Sequence, residues 1–332
     1  MNKGYKIDAK DLKILTLLDK RARESNNQIG KKVKLSKEVV KYRIDKMIEK
    51  GIIVRFHTII NYFKLGIIKY KLYLRIANAN KQKLEEIAEY FRKNNKTEWV
   101  ATTTGQWDLI IGFLVNNMNE FDDGVQSALN KFSKYIKDKS VTSTLYLAHH
   151  TREFLEATGN KEDEKIVYHT TKDPQEKIDE LDDKILRLLA NNARVSTVDI
   201  ANRLKITPRI VQYRIKSLEN RKIILGYKAH LNPFLLNRIF CKAIIYLVNI
   251  THARLQEFVN YASSLPGAIW PQRVLGAWDF ELDFELENYE SFQDTLLKLR
   301  EQFPDIIKSQ EFCIMSKEYK LDLFPNAEAP LI

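Results

Sequence analysis

The chain has 332 residues, 44% of them hydrophobic, with only 11 Gly and 8 Pro, which is the composition of ordinary folded domains rather than of disordered or collagen-like chains. No apolar run approaches the ~18 residues that cross a bilayer, and the start MNKGYKIDAKD lacks the apolar segment of a signal peptide. Two cysteines, Cys241 and Cys313, are too few for a disulfide framework or a multi-Cys metal site. They are expected to be small buried hydrophobes in a cytoplasmic protein.

The net charge of +11 is unevenly spread. Met1–Thr58 carries 16 Lys+Arg against 7 Asp+Glu, and Lys177–Asn232 carries 12 against 6, whereas Pro233–Ile332 is acidic, with 9 against 14. Positive charge therefore gathers on two segments, as neutralisation of phosphates would require.

In chain order, Ala9–Lys20 reads as an amphipathic helix with Leu12, Ile14, Leu15 and Leu18 on its core face. A second helix is expected near Asn26–Val33. Ser36 caps a third, Lys37–Lys50, with Val40, Ile44 and Met47 inward and Lys37, Glu38, Lys41, Tyr42 and Asp45 outward. Three short helices with a tight turn before the third describe a helix-turn-helix, whose third helix would offer its N-terminal side chains to base edges. Arg43 and Arg55 would meet phosphates. Beyond it, strand Ile67–Ile76, helix Lys81–Asn94, strands Thr97–Thr103 and Trp107–Val115, helix Asn119–Ser133 and strand Asp138–His149 give the order βαββαβ of a ferredoxin-like sandwich. Its sheet has a second, partly apolar face, which sheet-to-sheet or edge-to-edge pairing would bury, so dimerisation is expected.

Thr151–Glu176 is polar and reads as a linker; extended, it would span on the order of 85 Å and leave the pairing of its flanks free. After it the plan starts again. Leu181, Ile185, Leu188 and Leu189 place a helix at Asp182–Ala190, Ser196 precedes a short second helix, and Thr207-Pro208 starts the third. On that helix Val211, Ile215 and Leu218 face inward, leaving Arg209, Gln212, Tyr213 and Lys216 outward, and Ile223–Asn232 is expected to form a two-stranded wing. Strand Phe240–Val248, helix Ala253–Ser263, strands Ala268–Val274 and Trp278–Leu286, helix Tyr289–Gln302 and strand Ile306–Ser316 follow, with an irregular tail from Leu321.

A shift of 171 residues superimposes the two halves without a gap. Ile7 falls on Ile178, Tyr42-Arg43-Ile44 on Tyr213-Arg214-Ile215, and Gly105-x-Trp107-Asp108 on Gly276-x-Trp278-Asp279. The chain is a tandem duplication. It is expected to be α+β: a winged helix-turn-helix (1–62), a ferredoxin-like sensing domain (63–150), a linker (151–176), a second winged helix-turn-helix (177–233) and a second sensing domain (234–322).

The pattern Ser36, Val40, Arg43-Ile44, Met47, Gly51-Ile52-Ile53, repeated as Thr207, Val211, Arg214-Ile215, Leu218-Glu219, Ile223-Ile224, resembles the Lrp/AsnC (feast/famine) transcription regulators. So does the wing Gly226-Tyr227…Leu231-Asn232-Pro233. The resemblance implies sequence-specific binding of double-stranded DNA by Ser36, Lys37, Lys41, Tyr42, Arg43 and Arg55 in one head and Thr207, Arg209, Gln212, Tyr213 and Arg214 in the other. It also implies control by a small effector, such as an amino acid, near Thr102, Thr103, Thr104, Gly105 and Asp108, with at most one such site per chain. No cofactor and no enzymatic activity are expected. The assembly implied is a homodimer, an intrachain pseudo-dimer or a higher oligomer, the pseudo-dimer being able to read half-sites that are not palindromic.

The rival class is the sirohaem decarboxylases, which share this plan in paired or fused form. They would need basic and histidine side chains converging on a tetrapyrrole's carboxylates. The six His are scattered through wing, linker, loop and strand end, and Arg273 is the one suggestive position in the sensing domains.

Overall fold

The protein is described by a computed structural model over residues 5–156 and 167–328. The first half runs α1 (Ala9–Lys20), α2 (Asn26–Val33), α3 (Lys37–Glu49), β1 (Ile53–Ile60), β2 (Ile68–Ile76), α4 (Lys81–Arg92), β3 (Thr97–Gly105), β4 (Leu109–Val115), α5 (Met118–Phe132) and β5 (Ile136–His149). A short strand, β6 (Val167–Thr170), precedes the second half. That half comprises α6 (Glu180–Ala190), α7 (Thr197–Leu204), α8 (Pro208–Asn220), β7 (Ile224–Leu231), β8 (Ile239–Leu247), α9 (His252–Ser264), β9 (Ala268–Gly276), β10 (Phe280–Leu286), α10 (Tyr289–Gln302) and β11 (Ile307–Leu321).

Each helix of the two heads begins at a side-chain cap that satisfies free backbone N–H groups. Asp8 and Asp11 form a reciprocal capping box on α1, Ser25 and Gln28 another on α2, and Ser36, Asp179, Ser196 and Thr207 cap the rest.

Both βαββαβ units are present, each a four-stranded antiparallel sheet with two helices on its outer face. Their inner faces do not wait for another chain. Strand β3 pairs with β11 and β5 pairs with β9, so the order β2-β4-β3-β11-β8-β10-β9-β5 returns to β2 and closes an eight-stranded barrel. Closure removes the open sheet edges that would otherwise recruit other chains. The interior is aromatic. Tyr73 meets Trp278 edge-on at 4.6 Å between ring centroids, and Trp107 lies 6.1 Å from Trp278. Such ring pairs contribute about 0.5–1.5 kcal/mol beyond the area they bury. Cys241 and Cys313 are buried, and burial pushes their thiols up to about 12 and about 11.

Three expectations are corrected. The wing is not a hairpin within one half: β1 and β7 are single strands that pair with each other across the halves, Phe56 opposite Ala229 and Thr58 opposite Tyr227. Local alternation reveals a strand, but its partner lay on the far side of the pseudo-twofold axis. Each head therefore rests on the other half's strand, and the Thr58 hydroxyl donates to the Leu189 carbonyl at 2.7 Å. Reciprocal arginines lock this crossing: Arg23 donates to the carbonyls of Ala193 and Val195, and Arg194 to those of Ala22 and Glu24.

The linker, secondly, is not a free tether. Leu155 is buried in the core of the first head and accepts a bond from the Thr16 hydroxyl, Arg152 is fully enclosed, and β6 adds to β5. The middle of that segment, 157–166, lies outside the described residues. Thirdly, the last strand continues to Leu321, and Phe324 is buried against the second head; the end of the expected irregular tail, 329–332, also lies outside.

Candidate nucleic-acid interface and effector site

The two third helices, α3 and α8, present their first turns to solvent. On α3, Lys37, Glu38, Lys41 and Tyr42 are exposed, Tyr42 at 62%; on α8, Arg209, Gln212 and Tyr213 are exposed, Tyr213 at 70%. Lys41 is held only by Asp45 one turn on, an exposed pair that salt screens and a competing anion displaces at little cost. Ser36 and Thr207 cap their helices by accepting from Val39 N and Ile210 N, both at 3.3 Å, so their hydroxyls are half engaged before any ligand arrives.

The arginines sit differently. Arg43 Nη1 is 2.8 Å from both Asp8 Oδ2 and Asp11 Oδ1, and Arg214 repeats the clamp on Asp179 (2.6 Å) and Asp182 (3.3 Å). Hydrogen bonds to Asp11 and Asp8 raise Arg43 further above its ordinary value. These side chains pin the third helix to the first, turned from the groove-facing surface. Arg55 is likewise half-buried against Asp322 at 3.4 Å. A charged residue on a helix looks alike in sequence whether it seeks a phosphate or a neighbour's cap; the acids three apart on the first helix were the available signal.

The Gly-x-Trp-Asp turns are barrel parts. Gly105 and Gly276 have φ of +124° and +138°, and an added Cβ would lie 2.6 Å from the Phe312 carbonyl and 2.4 Å from that of Val141. Only glycine lets the strands approach at these two seams. Trp107 and Trp278 fill the barrel, while Asp108 and Asp279 accept from Ile76 N and Leu247 N at 2.8 and 2.7 Å. Among the other expected effector residues, Thr103 donates to the Trp107 carbonyl, Thr102 to that of Lys317, and Thr104 meets Ser316. Every side chain of this group that can hydrogen-bond already has a protein partner; Thr102, Thr103, Thr104 and Gly105 lie along the β3–β11 seam, whereas Asp108 is turned to β2.

A cavity that the sequence reading missed lies at the other end of β3. It is a small, half-open space that extends from the wing strand, through His57, into the barrel, through Lys69, Lys71, Glu98 and Gln272. The strand β10 supplies its ionic floor: Glu281 pairs with Lys71 across the halves and with Lys242 at 3.1 Å, and Lys242 reaches Asp283 at 2.7 Å. Burial alone would raise Glu281, yet Lys71 and Lys242 outweigh it and hold its carboxyl well below the usual range. Arg273, by contrast, points to solvent. Among the described residues, no group of three or more His, Cys, Asp or Glu could hold a metal ion, and no helix is long and apolar enough to cross a membrane.

Buried histidines make the fold acid-sensitive. Burial first, then Lys228, lowers His150 from the ordinary 6.5 to about 4, and burial lowers His57 in the same direction. Below pH ~6.5 the unfolded chain takes up a proton that folded His150 refuses until about pH 4. Stability is therefore full above that window and falls through it as pH drops, by up to about 3 kcal/mol. Urea midpoints between pH 7 and 4 should show the slope, and His150→Gln should flatten it.

The comparisons with known proteins agree with this architecture. A family model described as winged helix-turn-helix DNA-binding matches residues 7–54, and one for the AsnC-type helix-turn-helix domain matches 178–219. The chain is 33% identical over 124 residues to the leucine-responsive regulatory protein of Rhizobium meliloti, covering 36% of this chain and 78% of that protein. It is also 33% identical over 130 residues to the HTH-type transcriptional regulator LysM of Sulfurisphaera tokodaii, covering 36% of this chain and 86% of that one. Each relative thus corresponds to about one half of the duplication. In fold, the sirohaem decarboxylase NirDL matches 95% of this chain and 93% of its own, with a TM-score of 0.62 at 14% identity. The fold is shared with a decarboxylase, and it is the sequence relatives, regulators matched at 33% identity, that give the class: a transcription regulator built twice over. The chain belongs to the Lrp/AsnC family of transcription regulators.

Proposed function

We propose that this chain is a single-molecule pseudo-dimer that binds double-stranded DNA sequence-specifically and reads two different half-sites. The observation that carries the reading is the pair of exposed third-helix faces, Lys37/Glu38/Lys41/Tyr42 and Pro208/Arg209/Gln212/Tyr213, fixed to one closed barrel by the crossed wing strands. Palindromic operators follow from two-fold symmetry of the protein. Here the two heads share a scaffold but not a reading surface, so the operator is asymmetric. Arg43, Arg55 and Arg214 position the helices, Lys37 and Arg209 supply phosphate contacts, and Lys41 and Gln212 reach base edges. The protein acts in the cytoplasm, without catalysis. A small effector modulates the heads through the barrel on which they rest.

The paired ammonium groups favour this reading over a tetrapyrrole enzyme. Lys69, Lys71 and Lys242 each already hold a carboxylate. A substrate's carboxylates would have to break those buried pairs. The test is selection of bound fragments from a genomic library at about physiological salt, followed by Lys41→Ala and Gln212→Ala separately. Each variant should lose about 1–3 kcal/mol at base pairs of one half-site only. Loss of the same positions in both variants, or equal affinity for a symmetric repeat of either half-site, would sink the asymmetric reading. A tetrapyrrole-type absorption band on adding sirohaem would revive the enzyme.

A further inference from the structure

Two β-branched apolar side chains stand open to solvent on the reading helices. Val39 and Ile210 are the third residues of α3 and α8, one position before the buried Val40 and Val211, and they are 40% and 41% exposed. Their backbone N–H groups donate to the caps Ser36 and Thr207, which fixes the first turn and the direction in which both side chains leave it. A β-branched residue loses side-chain freedom in a helix, and at an exposed position little burial offsets that loss. Three residues on come the exposed Tyr42 and Tyr213. Residues three apart share a helix face, so each head carries the same two-residue apolar patch.

Around that patch the two heads have diverged. Lys37 stands where the second head has Pro208, Glu38 where it has Arg209, Lys41 where it has Gln212, and Asp45 where it has Lys216. Charge or hydrogen-bonding capacity changes at each of these positions, while the apolar pair stays. What the pair meets follows from where it sits. A third helix seated in a major groove faces base edges, and the one apolar group those edges offer is the 5-methyl of thymine. The cationic and amide side chains beside the patch suit phosphates and base edges, whereas the centre of a protein–protein interface is depleted of charge.

We propose that Val39 and Ile210 read thymine, each packing on the 5-methyl group of a thymine at the equivalent position of its own half-site, with Tyr42 and Tyr213 flanking. The two half-sites therefore share this letter and differ at the base pairs reached by Lys41 and Gln212. The inference rests on the DNA-reading function given above, and its test separates the two.

The operator selected by the full chain is remade with uracil for thymine, one position at a time, which removes a methyl group and no hydrogen bond. Binding is measured by fluorescence anisotropy. In each half-site one uracil, at the same place in both, should weaken binding about fourfold, the effect of one buried methyl group. Val39→Ser should abolish the response in the half-site of the first head and leave the other. Ile210→Ser should do the reverse, and Val39→Ile should keep both responses. If a serine variant fails to fold, the uracil series on the parent chain decides alone. Selection of no recurring sequence would remove the DNA-reading function and this inference with it. A recurring sequence in which every uracil is neutral, or in which both responses survive the serine variants, would leave that function standing and overturn this inference.

Discussion

Replacing Arg152 by alanine should cost about 3–5 kcal/mol of stability and loosen one head only. Arg152 donates from Nε and Nη2 to both oxygens of Glu285 at 2.7 and 2.8 Å, and from Nη1 and its backbone N–H to Asp19 at 2.6 and 2.8 Å. Lys228 stands 3.5 Å from the same Asp19, and all four side chains are buried. Without the guanidinium, two carboxylates stay enclosed with a single lysine between them, and removing one partner of a buried pair leaves the desolvation cost uncompensated. The second head shows what an apolar alternative looks like. At the equivalent positions it has Ala190, Leu323 and Leu114 in place of Asp19, Arg152 and Glu285, with Ala190 and Leu114 in a cluster that includes Phe324. The quadruple change Asp19→Ala, Arg152→Leu, Glu285→Leu, Lys228→Met, which leaves no buried charge behind, should therefore recover most of the loss. Hydrogen exchange on Arg152→Ala should rise in α1 while α6 stays protected. Equal loosening of both helices would refute the one-sided seam.

A loss of similar size is expected from Glu281→Ala, this time in the barrel itself. Glu281 is the one carboxylate that serves both Lys71 and Lys242, equivalent residues of the two halves that meet inside the barrel. It also accepts from Trp278 Nε1 at 3.0 Å. Removing it leaves Lys71 with only the Gln272 side-chain oxygen at 2.6 Å, and an ammonium enclosed without an anion costs about 3–5 kcal/mol when its partner is deleted. The equivalent position in the first half is Ile110. Glu281→Ile combined with Lys71→Met makes the pair apolar at similar volume and should restore denaturant midpoints to near those of the parent. Should the double variant be as unstable as the single one, the argument from uncompensated charge would fail.

These networks also mark where reading the sequence stopped. The duplication, the helix starts and the βαββαβ order were legible because they rest on local signals: caps, apolar spacing and a repeat without gaps. The closed barrel was legible only as a sheet face needing cover. Glu281, Asp283 and Glu285 alternate with Phe280, Leu282, Phe284 and Leu286 and so look like the wet face of a strand. All seven positions are buried. The equivalent Ile110, Gly112 and Leu114 in the first half were the clue that this face points inward, opposite lysines. The cavity escaped for the same reason: Glu98, Lys69 and His57 lie on three separate strands, and only long-range pairing brings them to one space. Of the candidate DNA contacts, the outward set on α3 and α8 followed from helical spacing, whereas the occupation of Arg43 and Arg214 by the first helix depends on tertiary contact.

Closure of the barrel within one chain changes how the protein answers to its own abundance. A regulator that must pair two copies is assembled only in proportion to the square of its concentration when scarce, and its folding is tied to that pairing. Here the second half is always present at the effective concentration set by covalent connection. On the proposed single-chain reading, occupancy of an operator rises with the first power of copy number, and dilution at cell division leaves each molecule complete. The fusion also frees each half from matching itself: a substitution such as isoleucine to glutamate between positions 110 and 281 alters one side of the barrel without being copied to the other.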